Sequence, residues 1–122
     1  MQLVAVFDVI ARHRLAVLST VHADGSRQAA LIGIALHQAR EIVFDTSSQS
    51  RKYANLRASP AVALVVGWQG ETTVQIEGLA REPAGNELER VKASYFAAWP
   101  DGRMREHSPT IAYVLITPTW VR

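Results

Sequence analysis

Residues 41–52, Glu41-Ile42-Val43-Phe44-Asp45-Thr46-Ser47-Ser48-Gln49-Ser50-Arg51-Lys52, pass from an apolar strand through a cluster of hydroxyls into two cations. The hydroxyls fall where a helix begins, and a helix start offers unpaired backbone N–H groups and the positive end of a dipole. Thr and Ser oxygens, an Arg fork and a Lys ammonium added to those N–H groups suit a phosphate monoester. Taken alone, Ser50-Arg51-Lys52 is also the sequence of a capped helix with solvated cations. The neighbouring strands decide between the two.

Upstream, Leu3, Val4, Phe7, Ile10 and Ala11 recur at spacings of three and four, which predicts an amphipathic helix over residues 2–13. Leu15 to Val21 is apolar and β-branched, and Asp24-Gly25 is a hairpin signal. Ala29 to Leu36 is the expected return strand, with Gly33 marking a bulge or a close backbone approach. His37-Gln38-Ala39-Arg40 turns the chain into the strand 41–46. Downstream, Ser50 to Ala58 is a short helix stopped by Ser59-Pro60, with Tyr53 and Leu56 facing inward. Ala61 to Val66 is an apolar run expected of a strand buried on both faces. Trp68-Gln69-Gly70-Glu71 reads as a turn and Thr72 to Glu82 as an alternating strand. A helix over 86–98 with Asn86 as its N-cap, a polar loop over 99–109 and a strand from Ile111 to Thr117 complete the order. The expectation is a mainly β, α+β domain over 1–122: a six-stranded antiparallel split barrel with about three peripheral helices.

Composition narrows the function classes. The chain has 122 residues, 20% of them charged, and a formal net charge of +2. No dense basic stripe with interleaved aromatics calls for nucleic acid. Without cysteine there is no disulfide, thiolate metal site or Cys nucleophile. The four histidines, His13, His22, His37 and His107, lack metal-ligand spacing, so no metal is expected. No apolar run approaches the length of a membrane span and no signal peptide is evident, which makes the cytoplasm the expected location.

The order of these segments resembles the flavin-binding split barrels related to pyridoxamine 5'-phosphate oxidase. The resemblance runs from Leu15-Ala16-Val17-Leu18-Ser19-Thr20 and Asp24-Gly25 through Ile42-Val43-Phe44-Asp45-Thr46 and Ser50-Arg51-Lys52. It continues through Asn55-Leu56, Ser59-Pro60, Ala61-Val62-Ala63-Leu64 and Val74-Gln75-Ile76-Glu77-Gly78-Leu79-Ala80 to Tyr113 and Pro118-Thr119-Trp120-Val121-Arg122. It implies FMN as cofactor, with Thr46, Ser50, Arg51 and Lys52 on its phosphate and ribityl chain. It places Ala30, Leu31 and Ile32 along the flavin ring, with Asp45 continuing that wall, and Gln75 as an amide donor. It also implies a homodimer with the flavin at the interface, which would bring Trp120 to the partner's cofactor.

The oxidase proper is longer and uses basic residues where this chain reads Ala29-Ala30-Leu31-Ile32-Gly33-Ile34, so its substrate is not expected here. Gln75 also fits an outward-facing strand position, and Trp99 and Trp120 read first as packing anchors. The expected function is an FMN-dependent oxidoreductase acting on a small molecule by hydride transfer at flavin N5. Catalytic acids and bases stay unassigned. A deazaflavin-dependent reductase of the same fold and a flavin-binding protein without turnover are the alternatives. A small interaction module binding nucleic-acid phosphates is a third.

Overall fold

The computed structural model describes residues 3–67, 70 and 72–122. The turn expected over 68–71 rests on Trp68, Gln69 and Glu71, which lie outside them.

Seven strands form a single antiparallel sheet in the order β2-β1-β5-β6-β7-β4-β3. They are β1 Leu15–Val21, β2 Arg27–Gly33, β3 Ala35–His37, β4 Glu41–Ser47, β5 Ala61–Val66, β6 Val74–Arg81 and β7 Ile111–Val121. The helices are α1 Leu3–His13, α2 Arg51–Ala58 and α3 Gly85–Ala98, with a 3₁₀ helix over Pro100–Arg105. The sheet curls into a half-barrel, bringing β2 against β4.

The split-barrel class holds, but the strand count is seven and not six. The segment read as one strand over 29–36 breaks at Ile34. Its N–H donates to the Arg14 carbonyl (2.8 Å) and its carbonyl accepts from the Trp99 indole (2.9 Å). With both backbone groups committed outside the ladder, the chain leaves β1 as its partner and takes up β4. The expected polar loop over 99–109 contains the 3₁₀ turn. The N-cap of α3 is Ala84, without a side-chain bond, in place of Asn86. The last strand extends past Thr117 to Val121, and β6 accommodates Pro118 by a shift of register between Glu77 and Gly78. A Cβ on Gly78 would lie 2.7 Å from the Thr117 carbonyl oxygen, so only glycine permits that approach.

Two apolar clusters hold the fold. One fills the barrel interior: Val6, Val9 and Ile10 of α1 plug it against Leu18, Ile34, Phe44, Leu64, Ile76 and Ile116. The other lies on the outside of β4 and β7, where Val91, Tyr95 and Phe96 of α3 cover Val43, Tyr113 and Leu115. Strands β4 and β7 are thus buried on both faces. Strand β5 is not, contrary to the reading of its apolar run: Val62, Leu64 and Val66 point inward and Ala61, Ala63 and Val65 point out. Among the described residues no helix covers the outer face of β2, β1, β5 and β6, and Leu31, Val17 and Val65 stand there in one row of paired positions.

Candidate functional site

Strand β4 carries Asp45 and Thr46 to its end, and the turn 47–50 leads directly into α2. Ser50 is the N-cap of α2: its extended backbone ends the turn, and its hydroxyl accepts from the Tyr53 N–H at 3.2 Å. Thr46 Oγ1 lies 3.1 Å from Ser50 Oγ, so the two hydroxyls form one polar lip. The N–H groups of Arg51 and Lys52, in the first turn of the helix, have no acceptor within it. Lys52 has no carboxylate partner among the described residues.

This lip is one end of an open cleft of about 600 Å³. Leu15, Leu31, Ile32 and Gly33 form one wall, and Tyr95, Trp99 and Arg105 face them. The floor is an ion-pair network. Asp45 Oδ1 accepts from the Tyr95 hydroxyl and Oδ2 from Arg105 Nε, each at 3.0 Å, while Arg105 Nη1 reaches Asp101 at 3.4 Å. Burial first, and then the Asp45 carboxylate, push the Tyr95 hydroxyl well above the usual tyrosine range. Tyr95 is therefore a proton donor to Asp45 at neutral pH. The hydrogen bond to Asp45 raises Arg105 in turn.

Trp99 closes the far end. Its ring packs on the backbone of Gly33, and the guanidinium of Arg14, the residue after α1, lies 4.5 Å from its centroid. Arg14 also donates to the Ala98 carbonyl. The indole is a wedge between β2 and α3, held by its N–H bond to Ile34.

Of the residues expected at a flavin site, Leu31, Ile32, Asp45, Thr46, Ser50 and Lys52 line this cleft together. Ala30 is half-buried in β2 opposite Leu18, outside the lining. The Arg51 side chain points away and donates to Ser26 Oγ at 3.3 Å. Gln75 and Trp120 sit elsewhere: Gln75 is exposed on β6, exchanging backbone bonds with Arg122, and Trp120 lines a separate depression beside Pro118. The sequence reading missed Tyr95, Asp101 and Arg105. A sequence signal existed only for Tyr95, which recurs with Leu88, Val91 and Ala98 at helical spacing.

A curled antiparallel sheet with a strand–hydroxyl turn–capped helix beside an open cleft defines a split-barrel protein. The chain belongs to the pyridoxamine 5'-phosphate oxidase family, whose N-terminal domain model matches residues 4–122. The pyridoxine/pyridoxamine 5'-phosphate oxidase of Bordetella petrii is 36% identical over 86 residues, 70% of this chain and 39% of that protein. The chain therefore spans about two fifths of the length of the curated relatives it matches. Among solved structures, a putative pyridoxamine 5'-phosphate oxidase from Listeria innocua superimposes with a TM-score of 0.79 at 22% identity, covering 98% of this chain and 95% of that one. An FAD-binding protein from Mesorhizobium loti gives 0.82 at 17%, covering 99% and 90%. A heme binding protein from Mycobacterium smegmatis gives 0.86 at 18%, covering 100% and 53%. At these identities the structural likeness concerns the fold.

Proposed function

We propose that this chain is a homodimeric flavoprotein that holds FMN in the cleft between β2, β4 and α2 and carries out redox chemistry on a small molecule. One observation carries the reading: the Thr46–Ser50 lip and Lys52, which meets no carboxylate among the described residues, stand at one end of a cleft whose wall is Leu31 and Ile32. A phosphate monoester at that lip would accept from the two hydroxyls, the first-turn N–H groups and the Lys52 ammonium. The β2 wall would lie along the ring, and the Asp45–Tyr95–Arg105 network would form the polar side opposite it. Bound there, the flavin supplies hydride transfer at N5. The chain's own residues orient the ring and exclude water from it.

The dimer completes the site in this reading. Leu31 is 62% exposed and belongs both to the cleft and to the uncovered row with Val17 and Val65. A second copy seated on that face would bury the row, shut the cleft mouth, and bring its own Gln75 and Trp120 within reach of the flavin.

Haem, which the Mycobacterium smegmatis neighbour binds by its name, is less well served. The described lining holds no His, Cys or Met, and its Tyr95 hydroxyl is engaged with Asp45.

Titration of the purified protein with FMN, FAD, a deazaflavin and hemin, with molar mass measured on the same sample, tests the proposal. One FMN per protomer in a dimer is expected. Protein that ignores FMN, or that binds hemin in preference, overturns it. Reduction of the loaded protein by a nicotinamide donor separates an enzyme from a carrier.

A further inference from the structure

We propose that the substrate taken beside the flavin is a largely apolar small molecule without an anionic group, and that Asp45 enforces this; the inference rests on the flavin reading above. The charged side chains that line the cleft are Asp45, Asp101, Lys52 and Arg105, two acids and two bases. A phosphate monoester on the α2 lip adds about two negative charges and uses Lys52. The cleft is then net negative, and Arg105 is the one cation left to meet a second anion.

Arg105 is committed. Its Nε bonds Asp45 Oδ2 at 3.0 Å and its Nη1 faces Asp101 at 3.4 Å. The Asp45 side chain is only 11% exposed, and its other oxygen holds the Tyr95 hydroxyl. Drawing the guanidinium onto a substrate carboxylate or phosphate would leave a nearly buried Asp45 without its counter-charge, which opposes the move. The two hydroxyls on this side, Ser108 and Thr110, are bonded to each other at 3.2 Å. What remains for contact is Leu15, Leu31, Ile32, Ile111 and the edge of Trp99. Such a surface favours an apolar body, and the Arg105 Nη2 donors left over stand beside two carboxylates that oppose an anion there.

Benzamide and benzoate, equal in shape and different in charge, are the probes. Calorimetric titration is done on the FMN-loaded protein and on the flavin-free chain. The wild-type protein is expected to bind benzamide at least tenfold more tightly than benzoate. Asp45→Asn with Asp101→Asn frees Arg105, and should tighten benzoate at least tenfold relative to benzamide. Asp101→Asn alone alters an exposed side chain and keeps the fold safe; it should tighten benzoate about threefold. Benzoate bound as tightly as benzamide by the wild type, no binding of benzamide, or variants that leave benzoate unchanged would each overturn the proposal. Failure of the flavin reading is seen separately, as absence of FMN binding; the flavin-free titrations are made with and without inorganic phosphate, because Lys52 is open to benzoate until the lip is occupied.

Discussion

The Trp99 ring rests on the backbone of Gly33, so that a Cβ built there would lie 2.8 Å from the ring carbon Cζ2 and 2.9 Å from Cε2. The contact joins β2 to the end of α3 and sets the far boundary of the cleft. Gly33→Ala would push the indole off its bond to Ile34. A loss of about 1–3 kcal/mol is expected, as for overpacking elsewhere. Urea unfolding of the variant measures it, and an unchanged midpoint would remove the wedge role from Trp99.

The β3–β4 turn carries a correctable cost. Gln38 and Ala39 both lie in the left-handed region, at φ 55° and 52°, and the Arg40 N–H closes the turn onto the His37 carbonyl at 3.2 Å. This is the hairpin geometry for which Asn-Gly is suited. Ala39→Gly should therefore stabilise the protein by about 1 kcal/mol. A lower midpoint in thermal unfolding would count against this geometry.

Alkaline pH should loosen the cleft. The Tyr95 hydroxyl is raised in the folded chain by burial and by Asp45, so the unfolded chain loses this proton first, near pH 10. The stability from Tyr95 is whole below that pH and is lost as pH climbs through the folded-state value. Tyr113, raised mainly by burial, acts in the same sense. The thermal midpoint should fall more steeply above about pH 10 in the wild type than in Tyr95→Phe. Equal slopes would assign the effect to another group.

Lys52 and Arg51 should separate in flavin titrations. Lys52→Ala removes a charge-assisted bond worth about 1.5–3 kcal/mol, roughly ten- to a hundredfold in the FMN Kd. Arg51→Ala should cost less, because its side chain reaches Ser26 outside the cleft lining. The reverse ranking would move the phosphate to the hairpin side of α2.

Val65→Glu places a charge at the β5 end of the uncovered row, opposite Val17. In the proposed dimer that charge would be buried without a counter-ion, so the variant should run as a monomer in light scattering and bind FMN more weakly. A dimer of unchanged stability would place the interface elsewhere.

The barrel was legible wherever local chemistry repeats along the chain. The α1 stripe, the Asp24-Gly25 turn and the Ser50 cap each state their element within a few residues. The break at Ile34 was not legible, because its backbone partners, Arg14 and Trp99, lie twenty and sixty-five positions away. The outer face of β5 misled for a related reason: an apolar run does not say which of its faces a neighbour covers.

The residues of the chain by themselves determined the polar lip, since Thr46, Ser50 and Lys52 are brought together by one strand end and one helix start. Only the tertiary structure decided what faces that lip. Tyr95 and Arg105 arrive from α3 and the 3₁₀ turn, fifty and sixty residues beyond Asp45, and their pairing depends on the sheet curling until those elements pack across β4. A hydrogen bond of 3.0 Å between distant segments leaves no periodic trace in a sequence, whereas a cap and its helix are neighbours by construction.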